Sequence, residues 1–422
     1  MLAPLSPFEA YRADLDRFSK RSEFGNADTV WLLLTHCMGR LSRVGDEVRQ
    51  RLAAQSAEAL RDLIESTEST QGLSSHQRDL RLIVAGFAHL DTRGGADAVS
   101  RACRGFAARM AESGALSVAY SVLGFARAAV AQASDRERGL LTADQARVSR
   151  QLGELDTADE LYRVALLIAD RSDDRELEAR CVLGRGVLAR VRGNYPKARV
   201  CFQNGLTLAL QCSARELEYF AHLGLTGIAG VTRDFDAGIE HGWAAFRLAD
   251  ADATREAESL TNLAQLCLDA GYPAAALRAF LSALARTTTL RIRLGALGGA
   301  ALAAGRTGDT ARLSRLSREI RDNVERSALP YENAQALRQL ASAHLAAGDE
   351  VTAERLRQET LKIARTRGFH EIEIASERME IARIAHKPAQ HNLESSSVDL
   401  VSHLEGFEPE ADESAYALTR WD

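Results

Sequence analysis

The chain has 422 residues, 46% of them hydrophobic and 26% charged, with only 7 prolines, 6% aromatics and a formal net charge of −5. That composition supports a large core and favours helix over a β-sandwich or barrel. Eight acids against Lys387 and Arg420 fall after residue 386, so the rest of the chain is near neutral, which argues against a nucleic-acid partner.

The first stretch, MLAPLSPFEAYRADLDRF, lacks a basic segment followed by an apolar run, so no signal peptide is expected. WLLLTHCM, the most apolar early stretch, is too short to span a bilayer, and no membrane association is predicted. Cys37, Cys103, Cys181, Cys201, Cys212 and Cys267 form no CxxC pair, as suits reduced thiols in a cytoplasm better than disulfides or zinc. Arginine outnumbers lysine by 49 to 4, a bias read as that of a high-GC bacterial genome.

Residues 1 to about 70 predict three helices, near Pro7 to Arg21, Ala27 to Leu41 and Asp46 to Ile64, forming an N-terminal bundle or cap. From residue 71 helix-period apolar positions continue with Gly-marked turns, and from about Leu140 a repeat becomes explicit. QLGELDTADELYRVAL carries Gly153, Ala158, Tyr162 and Ala165; RGNYPKARVCFQNGL carries Gly193, Ala198, Phe202 and Gly205. TRDFDAGIEHGWAAF carries Asp234, Gly238 and Ala245; AGYPAAALRAFLSAL carries Gly271, Ala276, Phe280 and Ala283. AAGDEVTAERLRQETL carries Gly348, Ala353 and Thr360, and a weaker copy, AGRTGDTARLSRLS, is centred on Ala311.

Each copy predicts a helix closed by a left-handed Gly, a short polar turn with an Asp or Asn cap, and a second helix whose small residue permits close packing. Pro196 and Pro273 sit where the second helix starts, the one helical position that tolerates proline. The helix FHEIEIASERMEIARIAH is expected to cap the array, and residues 387–422, Ser-rich and acidic, to be disordered.

This pattern resembles the tetratricopeptide repeat (TPR), with anchors spaced 40, 40, 38, 35 and 42 residues apart instead of the family's 34. The resemblance implies an all-α fold: an α-solenoid of TPR-like hairpins over residues 71–386, with the N-terminal helical bundle before it and the acidic tail after it. It also implies that first helices line a concave groove. The positions carried over are Arg147, Arg150, Gln151, Arg180, Arg190, Phe220, Leu223, Asn262, Gln265, Arg338 and Gln339. Arginine there can fork onto carboxylates, and Asn or Gln can hold a peptide backbone. Of the family's clamp for carboxyl-terminal chaperone peptides only Asn262 matches, so that ligand is not expected.

No HExxH, nucleophile motif or cofactor-binding pattern occurs, and no metal or cofactor is predicted. GALGGAALAAGRTGD departs from a phosphate loop in spacing, has Arg306 for the required Lys and follows no strand, so its small residues are assigned to helix packing. The leading functional expectation is a non-catalytic scaffold or regulator that binds a protein or peptide segment along the groove. The alternatives are a peptide-sensing regulator whose solenoid compacts on binding, and a nucleic-acid-associated regulator. The acidic tail, ending in Tyr416, Leu418 and Trp421, is a candidate occupant of the same groove.

Overall fold

A computed structural model describes residue 83, residues 92–130 and residues 132–385. The expected N-terminal bundle and the acidic tail lie outside the described residues. The chain divides into two compact units, with the boundary between Cys181 and Val182.

In the first unit α1 (Arg93–Glu112) pairs with α2 (Leu116–Ala129), and α3 (Asp135–Gln151) with α4 (Leu155–Ser172). α5 (Arg175–Val191) starts in the first unit and ends in the second. The second unit continues with α6 (Tyr195–Gln211), α7 (Arg215–Thr232), α8 (Phe235–Leu248), α9 (Ala253–Asp269) and α10 (Pro273–Arg286). It closes with α11 (Leu290–Thr307), α12 (Thr310–Arg326), α13 (Pro330–Ala346), α14 (Glu350–Arg367) and α15 (His370–Ala385). No strand occurs among the described residues, and the fold is all-α.

The punctuation seen in the sequence sets the helix ends. Gly153, Gly193, Gly271, Gly308 and Gly348 take φ between 73° and 96°, the left-handed region open to glycine. Asn194, Asp234, Asp309 and Asp349 then accept a backbone N–H of the following helix, filling one of its orphan donors.

Counting four residues on from each cap reaches Ala158, Ala198, Gly238, Ala276 and Ala353, all buried. The same count from Asp309 reaches Leu313, which is buried, whereas Ala311 is exposed. The anchor of that repeat is therefore Leu313, and the expected centring on Ala311 is wrong. A further copy precedes the expected ones: Gly114 has φ 88°, Ala119 is the buried anchor, and Leu123 stands where Phe202 and Phe280 stand later. With Leu313 and Ala119 in place the anchors recur at intervals of 37 to 40 residues.

The aromatics are fully enclosed, Phe202 at 1% and Phe280 at 0% exposure. Each is seated against a glycine on the next hairpin's first helix, Gly224 for Phe202 and Gly299 for Phe280, where a methyl group would overlap the ring. The GALGG stretch lies within α11. Gly298 and Gly305 leave no room for a side chain against α13, so the assignment of these residues to close helix packing holds.

Candidate functional site

In the second unit, polar side chains from α5, α9, α11, α13 and α15 meet although they are far apart in sequence. Gly298 lets α13 lie so close to α11 that Gln339 reaches past it to α9. There Gln339 Nε2 donates to Gln265 Oε1 at 2.8 Å, and Gln265 Nε2 donates to Asp269 Oδ1 at 2.9 Å. Arg306 Nη1 donates to the Leu268 carbonyl at 2.7 Å.

A second network joins the start and end of this unit. Arg190 Nη1 donates to both oxygens of Glu371 at 3.1 Å, and the Tyr331 hydroxyl donates to Glu371 Oε2 at 2.5 Å. The Arg190 guanidinium also lies over the Tyr331 ring, 5.6 Å from its centroid. The repeat array of the second unit thus coils until its first helix meets its last.

Between the two networks stands Arg338. Its Nε donates to Gln335 Oε1 at 3.2 Å. Burial lowers its pKa, while the charges of Asp269 and Glu371 counter the shift. Burial raises the Asp269 carboxyl, offset by the Gln265 hydrogen bond and by Arg306 and Arg338. Burial opposes the Arg190 cation, but Glu371 and Tyr331 outweigh it and hold the guanidinium above its ordinary range. The same burial pushes the Tyr331 hydroxyl up.

The structure brings together four of the expected groove residues, Arg190, Gln265, Arg338 and Gln339. It does not bring the others to them. Asn262 turns back on its own helix, Nδ2 to the Glu258 carbonyl at 2.9 Å. Leu223 packs on the buried cluster of Tyr219, Ala245 and Ala249, so it is core. Phe220, 39% exposed, lies edge-on to Tyr219 at 5.2 Å. Arg147, Arg150, Gln151 and Arg180 belong to the first unit. The Arg150 charge there acts on the buried Tyr162 of α4, opposing the rise that burial gives its hydroxyl, and Gln151 is buried.

Sequence reasoning missed Asp269, Tyr331 and Glu371. Asp269 and Glu371 fall at helix ends, outside the periodic positions. Glu371 sits on a helix expected only to cap the array, and a contact spanning 181 residues leaves no local signal.

Elsewhere, His222 of α7 and His241 of α8 place their Nδ1 atoms 3.0 Å apart. Burial lowers both, His222 to about 4, with each other's proximity adding to the shift on His222. Among the described residues no group of three or more His, Cys, Asp or Glu is arranged to hold a metal ion. A surface depression on the first unit is lined by Arg163, Leu167, Asp174, Arg175 and Glu178. Its Arg175 and Glu178 pair with each other at 2.9 Å, so it presents no unmet charge of theirs to a ligand. No helix among the described residues is long and apolar enough to cross a membrane.

No family model matches the sequence, and no curated protein does. A solved structure shares the fold. A Rap protein complexed with competence and sporulation factor superposes with a TM-score of 0.54 at 12% identity, over 81% of this chain and 98% of its own. A STAND signal-transduction ATPase with a tetratricopeptide repeat sensor, from Pyrococcus horikoshii, gives 0.41 at 14% identity, over 84% of this chain and 56% of its own. The chain is a helical repeat protein with a TPR-like fold.

Proposed function

We propose that this protein is a non-catalytic interaction protein, bacterial and cytoplasmic, that takes a protein or peptide segment on the polar inner face of its second unit. The observation that carries this reading is the convergence of Arg190, Gln265, Asp269, Arg338, Gln339 and Glu371 from four helices. A repeat array needs only apolar hairpin cores and nearest-neighbour contacts to be stable. Burying four charged groups inside it carries a desolvation cost that stability does not require. Guanidinium, carboxylate and amide groups side by side can hold both the backbone and the charged side chains of a segment. The fold shared with a Rap protein solved with competence and sporulation factor bound suits this reading.

The test is hydrogen exchange on the full chain loaded with a segment captured from host extract. Slowed exchange along α9, α11 and α13 is the expected result. Slowing confined to the second helices, α10, α12 and α14, overturns the reading.

The joint between Arg190 and Glu371 favours a second reading, that of a sensor. A segment entering the inner face meets a coil closed by that joint, so binding would be linked to its opening or tightening. Small-angle scattering would show a change in radius of gyration on loading. An unchanged radius eliminates the sensor reading and leaves the scaffold one.

A further inference from the structure

The inner face of the second unit is not balanced in charge, and the imbalance is local. Arg190 is matched by Glu371, with both oxygens engaged at 3.1 Å. Arg306 is engaged by the Leu268 carbonyl beside Asp269. Arg338 has neither. Among the described residues no carboxylate lies within ion-pair distance of its guanidinium, and the Nε bond to Gln335 leaves both terminal nitrogens without a partner.

That bond also aims the group. With Nε fixed to the residue one turn earlier, the two terminal nitrogens are left as a fork. Around them stand Asp269, Glu371, Tyr331 and Tyr195, the groups whose fields Arg338 feels. None of them closes on it. Arg338 is half-buried, so the fork is partly dehydrated.

We infer that Arg338 is the receptor for a carboxylate, and that the segment held on this face is an acidic peptide whose Asp or Glu side chain forms a two-pronged pair with it. The inference rests on the proposed reading of the inner face and adds the chemistry of the occupant. A single planar fork matches a carboxylate, whereas a phosphate site draws several donors onto one point.

An acidic segment can come from another protein or from this chain, whose residues 387–422 hold eight acids against two basic residues. The probe is therefore a labelled synthetic peptide of residues 401–422, VSHLEGFEPEADESAYALTRWD, beside a copy with every Asp and Glu amidated. Both are titrated by fluorescence anisotropy into the full chain carrying Glu405→Gln, Glu408→Gln, Glu410→Gln, Asp412→Asn and Glu413→Gln, which removes most of the competing charge in cis.

The acidic probe should bind about tenfold or more tightly than the amidated one, as a charge-assisted pair implies. That preference should vanish in Arg338→Met and persist in part in Arg338→Lys, which keeps the charge but loses the fork. Weaker probe binding to the unaltered chain than to the amidated chain would identify residues 387–422 as the occupant, and equal binding would assign it to another protein. Equal affinity for the two probes, no binding of either, or a preference that survives Arg338→Met overturns the inference. Because the exchange experiment above does not depend on the segment's charge, failure of the acidic preference leaves the broader reading standing.

Discussion

At Gly299 a methyl group would overlap the ring of Phe280, which is itself fully buried. The pair acts as one packing unit: the ring needs the missing side chain, and the gap needs the ring. Phe280→Ala should cost about 3–5 kcal/mol, for lost burial and the cavity left behind. Gly299→Ala should cost about 1–3 kcal/mol, because the ring must shift within a close-packed site. The two costs should not add. In the double variant, truncation of the ring at position 280 leaves room for the methyl group introduced at position 299. Denaturant unfolding should therefore show the pair losing less than the sum of its parts. Strict additivity would mean the ring and the glycine are not coupled.

The His222–His241 contact makes a second prediction at this scale. An unfolded histidine titrates near 6.5, while burial and the neighbouring imidazole take folded His222 to about 4 and burial lowers His241 as well. Glu240, Asp234 and Arg247 are the charged groups that act on the pair, and the carboxylates do not restore the shift. Between those values the unfolded chain holds more protons than the folded one. The stabilising contribution is therefore present above about pH 6.5 and is lost as pH falls through about 4. Melting temperatures from pH 7 to 4.5 should fall less steeply in His222→Gln than in the unaltered protein. Parallel curves would show that the pair does not titrate with unfolding.

At the scale of the element, much of the turn chemistry is legible in the sequence. Gly153, Gly193, Gly271, Gly308 and Gly348 mark first-helix ends, and each is visible because left-handed backbone favours glycine, whereas α7 closes on Arg233 at φ 60°, where the residue type carries no such signal. The anchors are less so. Ala311 attracts the assignment because it is small, but burial depends on distance from the Asp309 cap, and that distance selects Leu313. Likewise Ala119 escapes notice because Leu123 replaces the aromatic that makes later copies conspicuous. A helix register is counted from its cap, and residue type alone is a weaker guide. The candidate site is half legible for the same reason. Gln265, Arg338 and Gln339 are carried over by the resemblance to the tetratricopeptide repeat, whereas Asp269 and Glu371 depend on how tightly the array coils. Gly298 and Gly305 on α11 permit the close approach of α13, an effect visible only in three dimensions.

At the scale of the molecule, the joint of Arg190, Tyr331 and Glu371 distinguishes the second unit from an open array. In a linear solenoid each repeat answers only to its neighbours, and the ends fray first. Here the last helix is tied to the first across 181 residues, so α15 should be held nearly as firmly as the interior. Glu371 is only 13% exposed and Arg190 26%, so removing one partner leaves the other charge poorly solvated. Glu371→Gln should therefore destabilise by about 3 kcal/mol, toward the lower end of what breaking a buried pair costs, given the remaining exposure. Replacing both partners, as Arg190→Met with Glu371→Leu, should recover much of that loss, since an apolar contact carries no desolvation cost. The location of the damage is the sharper readout. Hydrogen exchange should quicken in α15 and in the C-terminal turn of α5 together, two segments far apart in sequence, while α9 and α11 stay protected. If α15 loosens and the end of α5 does not, the two ends are independent, and the second unit behaves as an open array.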